Sequence, residues 1–110
     1  MGKTQRLVDD LIKCIQEGQP LNVVVGASTE HARYLQHRLC QTLEEVGEPY
    51  TLLKARSRVV VDEAVVDFIS IHKVDIWRCG HRGYGEFWHD YSEWCYQRYI
   101  DQTKNDCTGN

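Results

Sequence analysis

Leu7, Val8, Leu11, Ile12 and Ile15 recur at the spacing of one helical face, while Asp9, Asp10 and Lys13 fall off it. Gly18 and Pro20 then supply the stop, so the pattern predicts an amphipathic helix from about residue 4 to 17. Asn22-Val23-Val24-Val25-Gly26 is a short continuous β-branched run, the mark of a strand covered on both faces, as in a parallel sheet. Ser28 or Thr29 is placed to cap a helix opening directly after this strand. Ala32, Leu35, Leu39, Leu43 and Val46 form the core face of that second helix, which Gly47 ends before Pro49 forbids its continuation.

The second half is read from weaker patterns. Tyr50 to Lys54 and Arg58 to Val61 are strand candidates, either separate or continuous through Ala55-Arg56-Ser57. Val65, Phe68, Ile69 and His72 share a helical face and Asp67 interrupts strand alternation, which predicts a helix there. Val74 to Arg78 reads as a short strand, and Gly80, Gly83 and Gly85 mark a loop. From Glu86, the positions Phe87, Trp88, Tyr91, Trp94, Cys95 and Tyr99 return to helical spacing and predict a long aromatic helix reaching about Thr103. The expected fold is α/β: a small, mostly parallel sheet with helices packed on it and an aromatic C-terminal helix. Residues 1–103 are expected to form one domain and residues 104–110 a loose tail.

Charge narrows the choice of partners. The 13 basic and 16 acidic residues of the 110-residue chain leave a net charge of -3, which excludes wholesale wrapping by nucleic acid but allows a local basic patch. No apolar stretch approaches the roughly 20 residues of a membrane span, and no signal-like apolar segment opens the chain, so a cytoplasmic protein is expected. Met1-Gly2 suggests myristoylation, but Arg6 stands where that motif needs Ser or Thr. The five cysteines are odd in number and widely spaced, which predicts reduced thiols. Cys14 and Cys40 read as small core hydrophobes and Cys107 as part of a polar tail.

Gly2-Lys3-Thr4 enters the first helix, Val23-Val24-Val25-Gly26 leads to Ser28-Thr29 at the start of the second, and Val59-Val60-Val61 runs into Asp62-Glu63-Ala64. This order, over about residues 2 to 66, resembles that of P-loop NTPases of the helicase and phage-terminase kind. The resemblance implies that Lys3 draws on the β- and γ-phosphates and that the Thr4 hydroxyl holds Mg²⁺, with amides at Gly2, Lys3 and Thr4 facing phosphate. It also implies that Asp62 and Glu63 hold the metal and orient the attacking water. Only Met1 precedes Gly2, so the family's first strand and most of its phosphate-wrapping loop are expected to be missing. Ordering a lysine outside such a loop costs roughly 1–2 kcal/mol of backbone entropy per residue. Val74 to Arg78 is the late strand candidate for the gap that the missing strand leaves.

Other clusters invite chemistry of their own. Lys54, Arg56 and Arg58 alternate, so an extended segment places all three on one face, either toward phosphates or as charge protecting a sheet edge. Arg78, His81 and Arg82, with Trp77 and Tyr84 close by, pair cations with rings suited to stacking, or form a solvated loop. Cys79, His81, His89 and Cys95 hold zinc-type donor atoms, but their spacings match no standard finger or knuckle, and no metal is expected. The aromatic segment, with Tyr96 off its main stripe, either covers the sheet or meets a partner. His31 and His37, among Arg33 and Arg38, read as solvent-facing, and no catalytic triad can be assembled.

These readings converge on a non-catalytic scaffold of P-loop type, of the size found among small phage or mobile-element proteins. It is expected to bind a protein or a nucleic-acid phosphate backbone, without membrane association and without a cofactor. The alternative is an enzyme that binds or hydrolyses Mg-nucleotide and is completed in trans by another subunit.

Overall fold

A computed structural model of the protein describes residues 3–53, 57–79, 83–90 and 97–103. Its elements in chain order are α1 (Lys3–Gln16), β1 (Leu21–Gly26), α2 (Thr29–Val46), β2 (Thr51–Leu53), β3 (Arg58–Val61), β4 (Ala64–Ser70), a 3-10 turn (Ile71–Lys73), α3 (Val74–Cys79), β5 (Gly83–Asp90) and β6 (Gln97–Thr103). The strands form one six-stranded sheet in the order β2-β3-β4-β1-β5-β6.

The α/β class expected from the sequence is present, but the sheet is mixed rather than mostly parallel. Only β1 with β4 and β1 with β5 pair in parallel, whereas β2 with β3, β3 with β4 and β5 with β6 are antiparallel. The parallel trio lies at the centre. Its middle strand shows why: Val23, Val24 and Val25 are all fully buried, because helices cover both faces of that strand.

Those helices divide the core in two. Leu7, Leu11, Leu35, Leu39 and Leu43 of α1 and α2 pack with Val24, Val59, Val66, Phe68 and Trp88 on one face of the sheet. Val74 and Trp77, from α3, pack with Val23, Val25 and Phe87 on the other. The chain moves from β1 to β4 through α2 and then back across β1 to β5 through α3. Crossovers that run in opposite directions but keep one hand must use opposite faces of a sheet.

Three expectations for the second half are overturned. Residues 64–70, read as helix, form strand β4. Asp67 interrupts the apolar alternation, yet it is buried in the sheet, because Arg58 on the neighbouring antiparallel strand neutralises it. Val74 to Arg78, read as a strand, lies in helix α3, and the place beside β1 is taken by β5. The expected C-terminal aromatic helix is absent from residues 83–90 and 97–103, which are strands β5 and β6. Phe87 and Trp88 are adjacent and both fully buried, which a strand achieves by sending one ring to each covered face. Tyr91, Trp94, Cys95 and Tyr96, assigned to the same helix, lie outside the described residues, as does the expected tail at 104–110.

Candidate functional site

Open α/β sheets bind ligands outside the carboxyl ends of their parallel strands, where neighbouring connections diverge. In this protein that edge carries Gly26, Ser70 and Asp90, the last residues of β1, β4 and β5, in register with one another. From β1 the chain enters α2 within three residues. A Cβ on Gly26 would lie 2.8 Å from the Ala32 amide nitrogen and 3.0 Å from His31 Cδ2, so only glycine lets the first turn of α2 sit this close to the strand. Ser28 caps that turn. Its Oγ accepts from the His31 amide at 3.1 Å, and its carbonyl accepts from the Ala32 amide at 2.9 Å. The Thr29 and Glu30 amides, first in the helix, have no intrahelical acceptor.

Beside this turn lies a cleft of about 220 Å³ lined by Thr29, Ala32, Arg33, Ser57, Phe68, Ile69, Ser70 and Lys73. Each wall follows from an element. Arg33 comes from the second turn of α2, and Ser70 ends β4 on the face that α2 covers. Lys73 is brought round by the 3-10 turn after β4. Ser57 precedes β3 in a left-handed conformation (φ 51°), and its carbonyl accepts from the Phe68 amide at 3.0 Å. Arg33 and Lys73 are exposed and cationic, whereas Ser70 is only 4% exposed. Two cations, three hydroxyl-bearing residues and a helix N-terminus suit an oxyanion.

The opposite edge of the sheet is acidic. A larger cleft of about 610 Å³ is lined by Ile15, Gln16, Gly18 and Pro20 together with Glu48, Asp62 and Glu63. Asp62 and Glu63 are not at the carboxyl end of a parallel strand. They form the two-residue turn between the antiparallel strands β3 and β4, where Val61 pairs with Ala64, and Asp62 takes φ 53°. Lys3 and Thr4 open α1, while Asp62 and Glu63 meet that helix at its far end, beside Ile15 and Gln16. Twelve residues of helix at 1.5 Å each separate Thr4 from Gln16 by about 18 Å, so Thr4 and the Asp62-Glu63 pair cannot share one ion. Gly2 lies outside the described residues.

The basic stripe is described only in part. Lys54 and Arg56 lie outside the described residues. Arg58 is engaged with Asp67, donating from Nε to Oδ1 at 2.6 Å and from Nη2 to Oδ2 at 3.1 Å. The hydrogen bonds to Asp67 hold its guanidinium above the usual arginine range, against the opposing effect of burial. Arg78 falls within α3, and Arg82 lies outside the described residues. Of the four zinc-type residues, Cys79 ends α3 and His89 lies in β5, while His81 and Cys95 are outside the described residues. Among the described residues no group of three or more His, Cys, Asp or Glu is placed to hold a metal.

Cys14 and Cys40 are buried in the core between the helices and the sheet, in keeping with the role read from the sequence. Burial raises the Cys40 thiol, its hydrogen bond with Tyr50 opposes this, and the charge of Glu44 adds to the rise. Tyr50 in turn donates to Glu44 Oε2 at 2.5 Å, and this bond raises its phenol strongly.

Thr29, Arg33, Ser57, Ser70 and Lys73 are not singled out as a site by sequence reasoning. Arg33 enters there only as a neighbour of His31 and His37, and nothing in the local pattern joins position 33 to position 73. The available signal is Val23-Val24-Val25-Gly26 followed by a cap, since a buried parallel strand feeding a helix marks a carboxyl-end crevice. No protein-family model, curated protein or solved structure matches the chain.

Proposed function

We propose that this protein is a non-catalytic α/β module that binds the phosphate backbone of a nucleic acid at the carboxyl edge of its central strands, on a scaffold of the P-loop NTPase kind. The observation that carries the reading is the cleft between α2 and the end of β4, with Arg33 and Lys73 on its rim. In a chain with a net charge of -3, a paired cationic rim over hydroxyls is a local electrostatic feature of the sort that backbone-positioning contacts use. The distance between Thr4 and the Asp62-Glu63 turn speaks against the Mg-nucleotide alternative built on those residues. A cytoplasmic setting and a phage or mobile-element origin belong to the same proposal. Among the described residues no helix is long and apolar enough to cross a membrane.

The test is fluorescence anisotropy with a labelled single-stranded oligonucleotide between about 50 and 200 mM salt, the range over which phosphate contacts weaken steeply. Arg33→Glu and Lys73→Glu are each expected to weaken binding and to lower the slope of log K against log salt by about 1. Binding that ignores both substitutions rejects this site. Equal competition by an acidic polypeptide replaces the nucleic-acid reading with a protein partner.

A further inference from the structure

Tyr34 follows Arg33 on α2 and is 46% exposed, yet its ring is held in place. Its hydroxyl accepts from Arg38 Nη1 at 2.9 Å, and the Arg38 guanidinium stands 5.9 Å from the centre of its ring. The His31 ring stacks against it from the preceding turn, with centroids 6.2 Å apart and planes inclined by 25°. Arg38 in turn donates from Nη2 to Gln5 Oε1 on α1, and Gln5 Nε2 donates to Asp9 Oδ1 at 2.9 Å. An exposed side chain ordinarily gives up rotamer freedom when it binds. Here the ordering precedes any ligand, and nearly half of the residue stays open to one.

We propose that Tyr34 is a stacking platform for an unpaired base, so that the protein engages single-stranded nucleic acid with a base on Tyr34 and phosphate at Arg33. The inference rests on the phosphate-backbone reading above and narrows its partner from nucleic acid at large to a single strand. Every base has a π-face that stacks on an aromatic side chain, and a guanidinium beside the ring adds a cation–π contribution. Inside a duplex each base is already stacked on its neighbours, and its face is closed to a side chain.

Charge and isolation select this occupant over a protein surface. Both arginines of α2 lie in its first ten residues, with His31 and His37 and against the single acid Glu30, whereas Glu44 and Glu45 occupy its last turn. In a chain with a net charge of -3, a polyanion is therefore favoured along the half of α2 that carries Tyr34. Protein-binding hot spots sit instead at the centre of a well-packed apolar patch. Among the described residues the other exposed large apolar side chains are Val46, Leu53 and Ile76. Val46 is twelve positions further along α2, about 18 Å at 1.5 Å per residue, and Leu53 and Ile76 belong to β2 and α3. Tyr34 thus stands as a lone ring among cations. It is also joined to the carboxyl edge of the sheet, because the Cδ2 of its stacking partner His31 lies 3.0 Å from where a Cβ on Gly26 would stand. Arg33 and Tyr34 are consecutive, so a nucleotide whose phosphate meets Arg33 carries its base within reach of the ring.

The experiment measures the anisotropy of a labelled oligothymidine, an abasic strand of the same length and a duplex, each with the full chain at constant ionic strength. The oligothymidine is expected to bind about tenfold more tightly than the abasic strand, within the range that one base–aromatic stack contributes. In Tyr34→Ala that ratio is expected to fall toward one, and the ratio of single-strand to duplex affinity is expected to fall with it by about tenfold. Tyr34→Phe keeps the ring without its hydroxyl bond to Arg38 and is expected to retain part of both ratios. The salt slope is expected to respond to Arg33→Glu and not to Tyr34→Ala, since stacking releases no counter-ions. Equal affinity for the oligothymidine and the abasic strand, or a preference that survives in Tyr34→Ala, overturns the platform. If the abasic strand still binds and weakens with Arg33→Glu, the backbone reading stands without it. Binding to none of the three overturns both readings, and equal affinity for a polyglutamate of matching charge overturns the platform in favour of a protein partner.

Discussion

Asp67, in the middle of β4, accepts two hydrogen bonds from Arg58 of the adjacent strand, at 2.6 and 3.1 Å, and a third at 2.8 Å from Trp77 Nε1 in α3. One carboxylate, 3% exposed, thus ties together two antiparallel strands and the helix that covers them. Trp77 also meets the Phe87 ring edge-on, with centroids 5.4 Å apart, which extends the same contact to β5.

Removing one member of a buried pair leaves the other uncompensated, a loss of about 3–5 kcal/mol when both are buried. Arg58 keeps 23% of its side chain exposed and can turn toward water, so Asp67→Ala is expected to cost about 2–3 kcal/mol. Denaturant unfolding of Asp67→Ala, Arg58→Met and the double variant measures it. The double variant is expected to be more stable than the sum of the single losses predicts. Strict additivity contradicts a coupled pair.

Gly26 is required by proximity rather than by backbone conformation. A methyl group there meets the Ala32 backbone nitrogen at 2.8 Å, and a backbone atom at a helix start cannot yield as a flexible side chain can. Gly26→Ala is therefore expected to lower stability by about 1–3 kcal/mol and to weaken oligonucleotide binding beyond what the stability loss explains, since α2 must shift away from β4. Unchanged unfolding and unchanged binding together would show that the turn has room to spare.

Asp62 lies at φ 53° in the β3–β4 turn, a region that L-residues enter at a cost and β-branched residues rarely occupy. Asp62→Val is expected to be about 1–2 kcal/mol less stable than Asp62→Gly, while Asp62→Gly changes little. Neither variant is expected to alter the response of the melting temperature to Mg-ATP or Mg-GTP, because the turn is remote from Thr4. A nucleotide shift approaching the roughly 2.7 kcal/mol of a site at hundredfold excess over Kd, lost in Asp62→Gly, would restore the enzyme reading.

Cys40 sets the alkaline behaviour. Its thiol is raised by burial in the folded protein, so as pH rises the unfolded chain releases this proton first. The contribution to stability is complete below the unfolded thiol value of about 8.5 and is lost as pH climbs through the folded value. Tyr50, raised through its bond to Glu44, acts in the same direction from about pH 10. Urea midpoints at pH 7 and at pH 9.5 are expected to fall less for Cys40→Ala than for the unaltered protein. Equal falls would assign the alkaline loss to other groups.

Helices α1 and α2 and strand β1 were determined by the sequence alone, because each rests on signals within a few residues. In α1 the apolar face from Leu7 to Ile15 ends at Gly18. In α2 the Ser28 cap and Gly47, at φ 78° past the last turn, bound the helix from both sides. In β1 an uninterrupted Val23-Val24-Val25 states that both faces are covered.

Everything that depends on partners distant in sequence was decided by tertiary structure. Asp67 made residues 64–70 look unlike a strand, because its neutralising cation stands nine positions earlier and becomes a neighbour only when β3 pairs with β4. Phe87 and Trp88 mimicked a helical stripe, because a strand buried on both faces carries apolar residues in succession and loses its two-residue period. The direction of strand pairing followed from the hairpin at Asp62-Glu63 and from the return of the chain across β1, neither of which leaves a local trace. The cleft has the same origin: Arg33, Ser57 and the Ser70–Lys73 stretch come from three separate segments, and only the packing of α2 against the end of β4 brings them to one place.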